Sequence, residues 1–138
     1  MKNGGIVAIA TLAFGLVACD DSNGSAICEV TRTATTVKVV NEIPGLAGYN
    51  STVTDQGNNV TIESEFWYEN QSYADKDCAE WKEEARGWRD GSMKVTCSGK
   101  SVYISEYDEG TLNSHERNFN EMCEDFWINY NNGAYDNF

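Results

Sequence analysis

The chain has 138 residues, enough for one domain with a single hydrophobic core. Its 22 acidic and 10 basic side chains give a net charge of −12, which argues against nucleic acid as a partner because a surface this acidic repels polyanions.

Residues 1–18 have the pattern of a secretory signal peptide. Lys2 supplies the positive charge, and residues 4–18 carry none. This run is too short, and too rich in Gly and Thr, to span a bilayer as a helix, which takes about 20 apolar residues. The predicted organisation is therefore a signal peptide at 1–18, a polar tether at 19–25 and one domain at 26–138. Cleavage after residue 18 would change the net charge from −12 to −13, because only Lys2 is charged in the removed segment.

The run Leu16-Val17-Ala18-Cys19 resembles the lipobox of bacterial lipoproteins, in which a small residue precedes a cysteine. The resemblance implies cleavage before Cys19, acylation of its sulfur and amino group with palmitate-like chains, and attachment to the inner or outer membrane of the cell envelope. An ordinary signal peptide with an incidental cysteine is the alternative. Two or three chains hold a protein lastingly, because each buried methylene contributes about 0.8 kcal/mol. Beyond these residues the chain is only loosely similar to small Gram-negative lipoproteins, and that likeness implies no activity.

Strand-like alternation begins just after the tether and continues through four segments. Residues 27–33 and 37–43 are rich in β-branched side chains, and Pro44-Gly45 ends the second segment. Residues 49–54 are predicted to form a third strand, followed by a turn rich in Asn and Gly. In residues 60–69 apolar and polar side chains alternate, which predicts a sheet with one buried and one solvent-exposed face.

The apolar period then changes from two residues to about three and a half. One helix is predicted to begin at Ser72 and end before Gly91, and a hairpin follows around residues 98–100. A second helix is predicted to begin at Asn113, and residues 129–138 are predicted to fray. The order ββββαββα predicts an α+β fold, an antiparallel sheet of about six strands with two helices on one face. The predicted apolar stripes are Ala74, Cys78, Trp81, Ala85 and Trp88 in the first helix, and Phe119, Met122, Cys123, Phe126, Trp127 and Tyr130 in the second.

The four cysteines that follow Cys19 predict two disulfides, for which three pairings exist. A zinc site is the alternative, but these cysteines are too scattered for the usual closely spaced ligand pairs. From Cys78 the first helix rises about 15 Å at 1.5 Å per residue, and the next strand returns about 17 Å at 3.3 Å per residue to Cys97. These two cysteines are thus level, which predicts the pair Cys78–Cys97 and leaves Cys28–Cys123.

The sequence predicts no catalytic residue, no metal ligand and no cofactor. Serine-hydrolase, phosphate-binding-loop and zinc-protease motifs do not occur in it. The single histidine, His115, is expected to be a solvated residue in the first turn of the last helix. The acidic residues before Gly110 do not have the spacing of a calcium-binding loop.

Three aromatic residues predict a binding surface on the solvent-exposed face of the sheet. Trp67 shares the polar phase of its strand with Glu63 and Glu65, and Tyr103 and Tyr107 have the outward phase of theirs. Rings surrounded by carboxylates suit a sugar ring or an anchor residue of a partner protein. The alternative is that the three rings pack against one another as cross-strand pairs that stabilise the sheet.

The predicted function is a lipid-anchored, non-enzymatic binding module for a glycan or protein of the cell envelope. A structural or antigenic coat lipoprotein without a dedicated ligand is the second interpretation, and a carboxylate-dependent hydrolase is the third. An open aromatic surface would favour the binding module. An acidic pair in a deep pocket would favour the enzyme, and a featureless sheet would favour the coat protein.

Overall fold

The computed structural model describes residues 25–88 and 91–136, so the predicted signal peptide, Cys19 and most of the tether lie outside the described residues. The predicted order ββββαββα is confirmed, and with it the α+β fold. The elements are β1 (Ile27–Arg32), β2 (Thr36–Ile43), β3 (Ala47–Asp55), β4 (Val60–Tyr68), α1 (Gln71–Arg86), β5 (Met93–Ser98), β6 (Ser101–Asp108) and α2 (Leu112–Asn131).

The six strands form one antiparallel sheet in the order β1-β2-β3-β4-β6-β5. Successive hairpins build β1 to β4. After α1 the chain returns as the β5–β6 hairpin, which places β6 beside β4. Helix α2 packs against β1, β2 and β3, whereas α1 packs against β4, β5 and β6. Both helices lie on one face, which we call the inner face, and the opposite face is the outer face.

The core lies between the inner face and the two helices. Val37, Val39 and Val53 of the sheet and Phe119 of α2 are fully buried beneath α2. A smaller cluster beneath α1 consists of Met93, Val102 and Ile104, with partly buried neighbours that include Trp81. Residues 26–136 contain both clusters, all eight elements and both disulfides, so this part of the chain carries its own core.

The predicted disulfide pairing is confirmed. Cys28 of β1 is bonded to Cys123 of α2, with the Cα atoms 5.5 Å apart. Cys78 of α1 is bonded to Cys97 of β5, with the Cα atoms 6.1 Å apart. Each disulfide therefore fastens one helix to the strand at one edge of the sheet.

The helix starts differ from prediction by one or two residues, because the true caps are nearby side chains that the pattern did not single out. Asn70 accepts a hydrogen bond from the backbone N–H of Ser72 at 2.8 Å, so α1 begins at Gln71. Thr111 and Ser114 form a reciprocal capping box, so α2 begins at Leu112 rather than at Asn113.

The helix ends also correct two expectations. Helix α1 stops at Arg86, so Trp88 lies beyond the helix and is exposed instead of completing the apolar stripe. Helix α2 continues to Asn131, and Tyr135 stacks on Phe126 with ring centroids 5.8 Å apart. The predicted fraying of residues 129–138 is therefore wrong for the described part, because aromatic packing against the core holds it.

Candidate functional site

The three aromatic residues predicted to bind a ligand all lie on the outer face. Residues paired directly across antiparallel strands point to the same side of a sheet. Trp67 is paired with Ser101, Glu65 with Tyr103, and Thr61 with Tyr107, so β4 and β6 present these side chains together. Both helices pack on the inner face, which leaves this surface uncovered by either helix.

Trp67 has a structural role that the sequence did not reveal. It is paired across β3 and β4 with Gly48, and a Cβ atom added to Gly48 would overlap the indole at Nε1 and Cε2. The ring therefore lies across the backbone of Gly48 and is only partly exposed. Glycine is required here for space, because the indole occupies the volume that any side chain would need.

Tyr103 and Tyr107 are the exposed rings of the outer face, with 42% and 57% of their surface accessible. They are four residues apart on β6, which corresponds to roughly 13 Å along the strand. Tyr103 is a diagonal neighbour of Trp67, but Tyr107 lies at the far end of β4. Among the described residues, no two of these three rings stack on each other or meet edge to face. They do not form the mutually packed cluster that was the alternative interpretation.

Carboxylates and hydroxyls fill the space between the outer-face rings. Ser101 donates a hydrogen bond to Glu65 at 2.9 Å, and Ser105 donates one to Glu63 at 2.8 Å. Ser105 lies between the two tyrosines on β6, directly opposite Glu63. This part of the outer face is therefore rich in hydrogen-bond acceptors and carries two aromatic planes.

His115 is not the solvated residue that the sequence predicted. It is 5% exposed, its Nε2 atom is 2.8 Å from Asp108 Oδ2, and its ring packs near Phe119. The prediction is wrong because the predicted apolar stripe begins at Phe119, one helical turn too late. His115 lies four residues before Phe119 and therefore on the same side of α2.

The surroundings of His115 do not form a hydrolytic triad. The carboxylate of Asp108 is bonded to Nε2, while the buried Nδ1 has no hydrogen-bond partner. The nearby hydroxyl of Ser114 is engaged in the capping box with Thr111. A triad needs a base whose two ring nitrogens contact an orienting carboxylate and a nucleophile. Helix capping and helix-to-sheet attachment account for these contacts.

An apolar cleft of about 360 Å³ lies on the inner face, and we call it the tyrosine cleft. It lies over β3 and β4, between the two helices, and its lining includes Tyr73 of α1 together with Phe126 and Tyr135. Among the described residues that line it, none is charged. The lining residues are Asn41, Ile43, Leu46, Ala47, Gly48, Tyr49, Phe66, Tyr68, Tyr73, Phe126 and Tyr135.

Two of the cleft tyrosines direct their hydroxyls into the protein. Tyr49 is hydrogen-bonded to Ser51 and Ser64, which are themselves buried and 2.9 Å apart between their Oγ atoms, and burial raises the pKa of Tyr49 to about 12. The Tyr68 hydroxyl donates to Asp77 at 2.8 Å, and burial raises the pKa of both groups. These two side chains thus offer mainly ring carbons to the cleft.

The sequence did not predict the tyrosine cleft. Its strand residues Tyr49, Phe66 and Tyr68 have the inward phase, which predicts core residues and nothing more. The signal that could have revealed it is a difference in side-chain size. On the inner face these large rings lie next to the small residues Ser51 and Ser64.

Residues 25–88 and 91–136 contain neither a cluster of metal ligands nor a helix that could cross a membrane. No group of three or more His, Cys, Asp or Glu side chains is placed to hold a metal ion. Neither helix there has the length and apolar character that crossing a membrane requires.

No protein-family model, curated protein or solved structure matches this chain. The candidate sites therefore rest on the geometry and chemistry of the chain itself.

Proposed function

We propose that this chain is a lipid-anchored, non-enzymatic binding module of the bacterial cell envelope, which holds a glycan or a protein on the outer face of its sheet. The observation that carries the proposal is the exposure of Tyr103 and Tyr107 on a face that neither helix covers. Exposed tyrosines recur as anchors in binding sites because each offers a large rigid plane with a polar tip.

The chemistry around these rings favours a glycan over a protein. Glu63 and Glu65 flank the tyrosines, and glutamate is depleted in the centre of protein interfaces. Sugar hydroxyls, by contrast, donate to carboxylates, and the apolar face of a sugar ring stacks on an aromatic plane. The hydrogen bonds that Ser101 and Ser105 already donate to these carboxylates hold them in place for such contacts.

The anchoring part of the proposal rests on Leu16-Val17-Ala18-Cys19. If Cys19 is acylated, residues 20–25 span at most roughly 20 Å at about 3.4 Å each, so the domain stays close to its bilayer. We expect Cys19→Ala to leave the precursor uncleaved and the protein without acyl chains. Mass spectrometry of the membrane fraction measures both, and a soluble mature protein that begins at another residue would contradict the anchor.

The binding part is tested with the double variant Tyr103→Ala/Tyr107→Ala. The probes are peptidoglycan sacculi, envelope oligosaccharides and, for the protein arm, a chemical crosslinker applied to intact envelopes. Because two anchor residues contribute at least about 1 kcal/mol each, the double variant is expected to weaken retention by roughly tenfold or more. Its melting temperature should stay near that of the native protein, since both rings are exposed.

Tyr73→Ala is the matched control, because Tyr73 is 40% exposed but lies on α1, away from the outer face. Trp67→Ala is made separately, since loss of its packing on Gly48 is expected to lower stability. Retention of every probe by the double variant would reject the outer face as the binding site. If the native protein retains none of the probes, the result favours a coat protein without a dedicated ligand.

A further inference from the structure

The tyrosine cleft opens at one end of the sheet, beside the strand ends where the chain enters the domain. Ile27 is paired with Glu42, so Ala26 lies level with Ile43, a residue that lines the cleft. The turns between β2 and β3 and between β5 and β6 lie at the same edge, as does the start of α1. We call this the tether edge, because residues 19–25 join the domain there.

Exposed apolar side chains also lie near the end of α2 and at the start of α1, beside the exposed ion pair between Lys100 and Glu69. Trp127, Ile128 and Tyr130, near the end of α2, are all exposed, and Ile128 is the most exposed large hydrophobic residue described. Tyr73, at the start of α1, is exposed on the other side of the cleft. Tyrosine and tryptophan side chains of this kind are favoured at the boundary between water and a bilayer.

We infer that the tyrosine cleft binds one acyl chain of a phospholipid from the bilayer to which Cys19 is attached. The identity of the bilayer as the source rests on the proposed anchor, whereas the capacity for a hydrocarbon chain rests on the cleft alone. The chain enters from the tether edge and lies over Ala47 and Phe66, between Tyr73 and Phe126.

Two properties of the cleft, its lining and its volume, and the nearness of the bilayer favour a hydrocarbon chain as the ligand. Its described lining has no charged side chain, and the hydroxyls of Tyr49 and Tyr68 are bonded to protein groups. Its volume of about 360 Å³ compares with the cavity of about 150 Å³ that holds the six carbons of benzene, so it accommodates about 14 carbons. A bilayer within reach of a tether of roughly 20 Å supplies such chains at high local concentration.

Two substitutions are designed to close the cleft. Ala47→Trp fills it from the floor, because the side chain of Ala47 is on the inner face beside Tyr49. Leu46→Asp places a charge at the mouth, in a turn that tolerates polar residues, and serves if Ala47→Trp fails to fold. Ala34→Trp, in an exposed turn at the opposite edge, is the matched control.

The first measurement is made in solution with residues 20–138, which carry the whole described core and no acyl chain. The probe is monolauroylglycerol, a neutral lipid with one 12-carbon chain. We expect saturable 1:1 binding by calorimetry, weakened about tenfold or more by either cleft substitution, since that is the effect of losing two or three buried methylenes. Ala34→Trp should bind as the native domain does. Absence of binding, or binding that neither cleft substitution changes, would overturn the cleft as a lipid site.

The second measurement uses the acylated protein in phosphatidylcholine–phosphatidylethanolamine vesicles that contain a phosphatidylcholine with a diazirine in one acyl chain. Crosslinks are expected in residues 41–49, 66–73 and 126–135, and Ala47→Trp should remove most of them. Crosslinks that persist in Ala47→Trp, or that fall mainly in residues 55–60 and 108–113, would overturn the bilayer as the source.

The two proposals fail in distinguishable ways. If Cys19 is not acylated, mass spectrometry and vesicle attachment fail while the solution measurement is unaffected. If the acylated protein no longer takes up monolauroylglycerol in the absence of vesicles, the cleft belongs to the chain on Cys19, and the inference about a bilayer phospholipid is overturned.

Discussion

The two halves of the inner face are built from the same parts but packed differently. In the α2 half, the helix buries Leu112, Phe119 and Phe126 against a sheet surface that includes the fully buried Val37, Val39 and Val53. In the α1 half, Ala74 is the only helix residue in the described part that is fully removed from solvent, and Trp81 remains partly exposed. An apolar stripe is thus not enough to bury a helix. The stripe must contain large side chains, and the stripe of α1 has one large aliphatic or aromatic residue, Trp81, where the stripe of α2 has several.

This difference bears on the candidate lipid site, because the tyrosine cleft lies where the halves meet. One wall belongs to the well-packed helix through Phe126, and the other belongs to the weakly packed helix through Tyr73. Segments with few buried apolar contacts open at low free energy. We therefore expect α1 to be the wall that moves when the cleft is filled, with Cys78–Cys97 limiting how far it moves.

The largest expected effect is removal of the disulfide of the α2 half. Cys28 and Cys123 are 95 residues apart, so Cys28→Ser/Cys123→Ser should lower the free energy of unfolding by about 4–5 kcal/mol in the chain-entropy description. Cys78 and Cys97 are 19 residues apart, and the corresponding double variant should lose about 3 kcal/mol. Urea unfolding under non-oxidising conditions measures both. A larger loss from the shorter loop would show that α1, not α2, controls global unfolding.

A second pair of variants compares the two helices through their central aromatic residues. Phe119→Ala removes a fully buried ring from α2 and should cost about 3–5 kcal/mol. Trp81→Ala removes a larger but partly exposed ring from α1 and should cost less than about 3 kcal/mol, because less of its surface leaves water on folding. Thermal unfolding of both variants at one pH gives the comparison. Equal losses would mean that the two halves are packed equally well.

The smallest expected effect concerns Glu106, a half-buried carboxylate of β6 on the inner face. Burial raises the pKa of Glu106, and the carboxylates of Asp108 and Glu84 add to the rise. A raised pKa means that the folded state holds the proton more tightly, so stability is lost as the pH rises above the unfolded value of about 4.5. Glu106→Gln removes this loss and should raise the melting temperature at pH 7 but not at pH 3.5.

Glu121→Gln is the control for that experiment. Glu121 is exposed on α2, so this substitution removes the same charge from the surface. A rise of equal size in the control would assign the gain to the lower net charge of the protein. A gain in Glu106→Gln that persists at pH 3.5 would exclude the burial of a charged carboxylate as its cause.

Much of the fold follows from local patterns that can be read directly from the sequence. Alternation in residues 60–68 predicted which side of β4 is buried, and the level positions of Cys78 and Cys97 predicted a disulfide. These predictions succeed because the periods of strands and helices are geometric constants. The caps at Asn70 and Thr111 were each missed by two residues, because several neighbouring polar side chains compete for the same role.

The candidate sites were only partly predictable. Phase alone placed Trp67, Tyr103 and Tyr107 on the outer face, but it did not show that Trp67 lies over Gly48 while the tyrosines remain open. That distinction depends on which residue of the neighbouring strand is opposite, and strand order and register decide it.

By itself, the sequence determined the order of the elements, the faces that the residues of β4 and β6 take and the pairing of four cysteines, because each depends on a short-range period or a fixed rise per residue. Only the tertiary structure decided that His115 is buried against Asp108 and Phe119, and that a cleft remains between Tyr73 and Phe126. Both depend on how far apart two helices settle on one sheet. That spacing is set by the volumes of side chains distant in sequence, which no local pattern encodes.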